Sequence, residues 1–200
     1  MVPTDTNPQF VLASASPRRR ELLQQIGCRF LVAPVHLDET PLPGELPEHY
    51  VVRMALEKAR AGWSASREQG RPVLAADTTV VCEGEIFGKP GNREEAVAML
   101  ERLSDRSHRV LSAVALCNAS RCESRLSETE VRFRAIDEAE RQRYWETGEP
   151  ADKAGGYGIQ GYGAVFITAI HGSYSGVVGL PLAETCELLS DFGLSWWMSV

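Results

Sequence analysis

The chain has 200 residues, 44% hydrophobic and 24% charged, with a formal net charge of −6 at pH 7. That is the composition of a globular protein long enough to bury its own core, without recourse to disulfides or a structural metal. The acidic balance argues against a protein that coats nucleic acid non-specifically. No stretch approaches the roughly 18 apolar residues of a membrane span, and the N-terminal segment MVPTDTNPQF lacks the basic-then-apolar pattern of a signal peptide, so the cytoplasm is the expected compartment.

Residues 1–9 read as a flexible tail, 10–194 as one domain and 195–200 as a C-terminal tail. Phe10-Val11-Leu12 is a short apolar run expected to form a buried first strand. Ser16-Pro17 is a helix start, followed by a helical pattern over Arg20–Ile26 that Gly27 closes. Phe30–Val35 reads as a second strand and Leu37–Pro47 as a loop rich in proline and acid. From Pro47 to Ser66 the apolar residues Val51, Met54, Ala55, Ala59 and Trp63 share one helical face. Strands are expected at Pro72–Cys82, Val110–Cys117 and 123–134, the last antiparallel to its predecessor, and helices at Glu94–Leu103 and Asp137–Glu146. A glycine-rich segment, Ala154–Gly163, precedes a strand at Ala164–Ile170 and a closing helix at Leu182–Phe192. The order β-α-β-α-β-α-β-β-α-β-α predicts a mixed sheet flanked by helices. The cysteines Cys28, Cys82, Cys117, Cys122 and Cys186 form no C-x-x-C pair and have no histidine at zinc-ligand spacing, so all are expected as free thiols packed as small apolar groups.

Two segments break local rules. In Ser14-Ala15-Ser16-Pro17-Arg18-Arg19-Arg20 the arginines load positive charge onto the positive end of a helix, where Asp or Glu is preferred. Such a conflict points to an anionic ligand gripped by backbone N–H groups and guanidinium forks together; a solvated basic patch is the plainer alternative. Asp77 interrupts the apolar strand Pro72–Cys82, and a carboxylate there must be paired, hydrogen-bonded or metal-bound. It is either a metal ligand or general base, or a structural hydrogen-bond anchor.

Other motifs are weaker. Gly84–Pro90 falls one residue short of a phosphate-binding Walker loop and has proline after Lys89, so it is no such loop, yet Lys89 is confined between Gly88 and Pro90. Gly156-Tyr-Gly158-Ile-Gln-Gly161 matches G-x-G-x-x-G without the strand-before, helix-after context of a dinucleotide site. Its glycines suggest close backbone approach, and Gln160 has the one amide side chain able to read a base edge; a simple turn before a strand is the alternative.

Together, LASASPRRRELL (12–23), Asp38-Glu39, VVRMALEKA (51–59), AADTTV (75–80), GKP (88–90), ADKAGGYGIQG (151–161) and VVGLPL (177–182) resemble the Maf family of nucleotide pyrophosphatases over about residues 10–193. The resemblance implies an α/β fold with an elongated mixed sheet flanked by helices and two lobes around a central cleft, similar to the inosine-triphosphate pyrophosphatases. It implies hydrolysis of a nucleoside triphosphate to monophosphate and pyrophosphate. Ser14, Arg18, Arg19, Lys58 and Lys89 would hold the triphosphate. Glu39 and Asp77 would serve a divalent metal, Mg²⁺ or Mn²⁺, with Asp77 also accepting the proton of the attacking water. Arg18, Thr78 and Gln160 match the specificity positions of the branch acting on dTTP and UTP, not those of the branch acting on 7-methyl-GTP. His36-Leu37 ahead of Asp38, and His171 before Gly172, depart from the family pattern. A homodimer is implied as well. No nucleic-acid or membrane partner is expected; the rival readings are a pyrophosphatase of 7-methyl-GTP or other modified nucleotides and a non-catalytic nucleotide-binding regulator of cell division.

Overall fold

The strand that the sequence interrupts with aspartate is the middle of a seven-stranded sheet in the computed structural model, which describes residues 7–66 and 70–197. In chain order the elements are β1 (Phe10–Leu12), α1 (Pro17–Gln25), β2 (Phe30–Val32), α2 (Pro47–Ser66), β3 (Val73–Cys82), β4 (Glu85–Phe87) and α3 (Arg93–Leu103). They continue with β5 (Ser107–Cys117), β6 (Cys122–Phe133), α4 (Glu138–Glu146), β7 (Ile167–His171), α5 (Tyr174–Val178) and α6 (Leu182–Asp191). The sheet order is β2-β1-β3-β5-β6-β7, with β4 added to β3. Pairings β1–β2 and β1–β3 are parallel; those of β3 with β4 and β5, β5 with β6 and β6 with β7 are antiparallel. The expected mixed α/β sheet is therefore present.

The pairing of β3 has a gap that the rest of the fold exploits. On one side β5 covers it from Val73 to Val81. On the other, β1 pairs only with Val73 and Leu74, and β4 only with Val80, Val81 and Cys82. Among the described residues, no strand pairs with residues 75–79, Asp77 among them, on that side. Buried polar backbone must find partners, so an unpaired edge in mid-sheet is a place for a ligand.

Side chains alternate across a strand, and the core divides accordingly. One face of the sheet, with Val73, Ala75 and Val81, packs against Val51, Met54, Ala55 and Ala59 of α2. Trp63 is only partly buried against that cluster. Gly62 lets the helix lie close: a Cβ there would be 2.8 Å from Val73 Cγ1 and 2.9 Å from Ala13 Cβ. The opposite face carries two clusters. Leu74 and Ala76 belong to one with Leu22, Leu23, Leu180 and Leu188, from α1, α6 and the turn before α6. Val80 and Cys82 belong to the other with Leu100, Leu103, Phe133 and Tyr144, built on α3, α4 and the far end of the sheet. These clusters are the two lobes, and Thr78 lies between them.

Several sequence expectations are corrected. Helix α1 starts as expected, with Ser16 as N-cap and Pro17 first, but ends at Gln25, before Ile26. Strand β2 ends at Val32 because Ala33 and Pro34 already leave the sheet, and its side chains are largely exposed at the edge. In place of a strand from Ala164, a 3₁₀ helix spans Tyr162–Phe166 and β7 starts at Ile167. The short β4 and α5 have too few residues to show a period. Cys117 and Cys122 are not free thiols: they face each other across the end of the β5–β6 hairpin and form a disulfide, a pairing set by strand register that spacing in the sequence did not reveal. Cys28, Cys82 and Cys186 are free. Of the expected tails, residues 1–6 and 198–200 lie outside the described residues; Arg71 bonds Pro8 O at 3.0 Å, and Trp196 packs against the α1–α6 cluster.

Candidate active site

Each side chain of the site reaches the open edge of β3 for a local reason. Asp77 shares its face with Ala75 and so points toward α2, where Lys58 lies one turn beyond Met54 on the buried side. Lys58 Nζ is 2.7 Å from Asp77 Oδ1 and 2.5 Å from Glu39 Oε1. Lys58 and Asp77 are both buried, at 8% and 6% exposure, and Glu39 caps the pair from the solvent side. Glu39 is on a loop, but one tied to α2. Tyr50 Oη donates to Glu39 O at 2.9 Å, and Arg53 forks onto Glu45 at 2.6 and 2.7 Å while its Nη2 reaches Thr40 O at 3.3 Å. Its neighbour Asp38 is exposed and folds back on Thr40 in a local turn.

The start of α1 forms a second wall. Ser16 Oγ accepts from Arg19 N, and Ser14 Oγ accepts from Ser16 N at 3.2 Å and from Arg19 Nη1 at 3.3 Å. Arg19 Nε donates to Gly179 O at 2.9 Å, so its fork is aimed before any ligand arrives. Arg18 pairs with Asp152 at 3.1 Å. Arg20, third in the basic run, is exposed and does not line the site. Lys89 projects from the turn after β4; Gly88 O accepts from Gly155 N at 2.9 Å, which ties that turn to the glycine-rich segment. Gly155 adopts φ +68°, and a Cβ there would lie 2.9 Å from Val80 Cγ2.

Ser14, Arg18, Arg19, Glu39, Lys58, Asp77, Thr78, Lys89 and Gln160 all line one cavity of about 610 Å³. A volume of this order is that of a small-molecule site. Burial pushes the Asp77 carboxyl above the usual aspartate range, against the pull of Lys58 and Arg19. For Glu39, burial pushes up as well, but Lys58, Lys89 and Arg19 outweigh it and hold the carboxyl below its ordinary value. Burial lowers the Arg19 guanidinium, which Asp77 opposes. The site is a cage of cations around two carboxylates, suited to gather and neutralise a polyanion while keeping a proton acceptor in its floor.

Reading the sequence did not find every contributor. Ser112, opposite Thr78 in β5, donates to Gly176 O at 2.6 Å and lies 2.9 Å from Thr78 Oγ1. Serine in an apolar strand was the available signal. Asp152 stands in a motif already noted, but only the fold brings it to Arg18.

Known proteins supply an independent comparison. Residues 9–192 match the family described as Maf-like protein. A dTTP/UTP pyrophosphatase of Hahella chejuensis is 50% identical, with 96% of this chain and 98% of that protein aligned. One of Aromatoleum aromaticum is 54% identical over 92% of this chain and 96% of its own length. A solved nucleoside-triphosphatase / dITP/XTP pyrophosphatase from Mycobacterium abscessus aligns over 92% of this chain and 94% of its own, at 18% identity and a TM-score of 0.45. With nearly the whole chain matched, and relatives identical at half their positions, this chain belongs to the Maf-like protein family.

Proposed function

We propose that the chain hydrolyses nucleoside triphosphates, dTTP and UTP in preference, to the nucleoside monophosphate and pyrophosphate, with help from a divalent cation. The observation that carries this reading is Lys58 bridging Glu39 and Asp77 inside a cavity that Arg18, Arg19, Lys89 and the α1 N-terminus also line. The names of the relatives support it.

The donor set fits a hard cation. Lys58 takes Oε1 of Glu39 and Oδ1 of Asp77, so Oε2 and Oδ2 are the oxygens left to a metal. Among the described residues no three or more His, Cys, Asp and Glu gather around one point. Mg²⁺ commonly binds through one or two carboxylates plus substrate phosphate oxygens, and Mn²⁺ takes the same ligands. Glu39 and Asp77 would hold the ion, which when bound neutralises phosphate charge and acidifies water.

The residues of the chain supply the rest. Arg19, already aimed by Gly179 and Ser14, grips phosphate oxygens by its fork, while Lys58 and Lys89 add point charges where negative charge builds up on pyrophosphate departure. Asp77 takes the proton of the attacking water. The water oxygen bonds to the α-phosphorus, the bond from that phosphorus to the bridging oxygen breaks, and pyrophosphate leaves with the electron pair.

Base preference follows from the direction of a hydroxyl proton. Ser112 spends its own proton on Gly176 O, so it faces Thr78 as an acceptor. The other partner of Thr78, Gly179 O at 3.3 Å, is an acceptor too. The Thr78 proton is thus committed inward, and its oxygen is left to act as an acceptor toward the cavity that Thr78 lines. Uracil and thymine offer N3–H to such an acceptor; cytosine offers none. Gln160 adds an amide donor for the 4-carbonyl. The lining tyrosines, Tyr50 and Tyr157, are buried and give no open plate for a methylated, cationic guanine.

No described helix is long and apolar enough to cross a membrane; action in the cytoplasm, as a homodimer, is part of the same proposal. The test is a panel of dTTP, UTP, CTP, GTP and 7-methyl-GTP incubated with the purified chain, with and without Mg²⁺ or Mn²⁺, and the products resolved. Metal-dependent monophosphate and pyrophosphate, fastest from dTTP and UTP, is the expected result. Tight binding without turnover would establish the regulator reading.

A further inference from the structure

The turn that presents Gln160 is bonded to a carboxylate, Glu149, that lines the same cavity. Glu149 Oε1 accepts from Tyr144 Oη at 2.7 Å and from Gly163 N at 3.0 Å, and Oε2 accepts from Tyr162 N at 2.7 Å. Tyr144 Oη in turn accepts from Gly158 N at 3.0 Å. Both ends of the segment Ile159-Gln160-Gly161 are therefore bonded to one Glu149–Tyr144 unit. Glu149 is itself anchored, because Lys153 Nζ donates to its main-chain oxygen at 2.8 Å.

The glycines of this turn make room for that clamp. A Cβ on Gly161 would collide with the Glu149 carboxylate, one on Gly158 would lie 2.9 Å from Glu149 Oε1, and one on Gly163 would lie 2.6 Å from Tyr144 Oη. Neither Gly158 nor Gly161 sits at positive φ; what they lack is space for a side chain. Gln160 is exposed and lines the cavity.

We infer that Glu149, acting with Tyr144, is a positioning residue for base selection: its carboxylate sets the turn that aims the Gln160 amide. This rests on the reading of Gln160 as a reader of the pyrimidine edge. A carboxylate is suited to the task because it has no proton of its own to donate and can accept three bonds at once. Glutamine in its place would turn an N–H₂ against either Tyr162 N–H or the Tyr144–Gly163 pair.

The test compares kcat/KM for UTP and CTP in wild type, Glu149→Gln, Gly161→Ala, the double variant and Gln160→Ala. Glu149→Gln and Gly161→Ala are each expected to lower the UTP-to-CTP ratio by about fivefold or more, with kcat at saturating UTP within about twofold of wild type, because Arg19, Lys58 and Asp77 are untouched. The double variant is expected to be no worse than Glu149→Gln, since both changes undo one contact. Gly161→Ala keeps the question open to measurement even if Glu149→Gln folds poorly. A ratio lost in Gln160→Ala but kept in both clamp variants would overturn the inference alone. A ratio unchanged in Gln160→Ala would overturn the base reading and this inference with it.

Discussion

Asp77 and Thr78 are neighbours in β3 yet serve opposite faces of the sheet: Asp77 meets Lys58 of α2, and Thr78 meets Ser112 and Gly179 beneath the other face. Both reach one cavity because residues 75–79 have no strand on their outer side. On the proposed reading, the chemical half and the base-reading half of the site are separated by a single peptide bond.

Asp77→Asn keeps the shape and removes the charge. Lys58 retains Glu39 as a partner, so the thermal midpoint is expected to move little. Turnover of dTTP under saturating Mg²⁺ should fall by ~10²-fold or more. Near-normal turnover in a folded variant would remove Asp77 from the mechanism.

On the proposed reading Arg19 has two duties, one toward the phosphates and one within the fold. At a helix start its removal relieves like charge, and on that ground alone truncation would leave stability equal or higher. Its bonds to Gly179 O and Ser14 Oγ alter the expectation, because Arg19→Ala also cuts a tie between α1 and the turn before α6. A modest drop in melting temperature is expected. Triphosphate affinity should weaken by ~1.5–3 kcal/mol, the worth of a charge-assisted bond. Calorimetry for binding and a thermal melt for stability separate the two; unchanged binding with a lower melt would make Arg19 purely structural.

Thr78→Val preserves the outline of the side chain and deletes the acceptor. The kcat/KM for UTP should drop about tenfold while that for CTP changes by less than about twofold, and Thr78→Ser should restore UTP. An equal loss for both nucleotides would mean that Thr78 does not read the base.

His108 offers a test of stability against pH, away from the phosphate machinery. It is buried, with Nε2 2.7 Å from Tyr157 Oη and Nδ1 without a partner. Burial lowers its pKa from 6.5 to about 4. A histidine depressed on folding binds its proton more readily in the unfolded chain, so its contribution to stability is whole above 6.5 and is lost as pH falls toward 4. The loss across that window is up to roughly 3 kcal/mol. Urea unfolding at pH 7 and pH 4.5 should show a smaller difference for His108→Gln than for wild type. Parallel losses would show that His108 binds its proton as readily in the folded protein as in the unfolded chain.

Much of the molecule is legible without coordinates. Helix α2 is bounded as its apolar period predicts, because Val51, Met54, Ala55 and Ala59 can be buried together in only one secondary structure. Asp77 and the arginines at α1 stand out for a related reason. Each violates a local preference, and a violation visible in sequence is a debt that only a partner elsewhere can settle. The named site residues do meet in one cavity.

The tertiary structure decided what those residues meet. No local rule says that Lys58, on a long helix with an otherwise apolar face, turns inward to join Glu39 from a loop and Asp77 from a strand. Nor does one say that Arg18 and Arg19 line the cavity while Arg20 faces solvent, that Cys117 and Cys122 share a strand register, or that Glu149 holds the turn before Tyr162. Short elements such as β4 and α5 exist because neighbours supply their bonds and burial, not because their few residues favour them. Sequence period records what each segment must bury; the pairings across long separations, and with them the direction of the Thr78 proton, arise only once the sheet has assembled around the open stretch of β3.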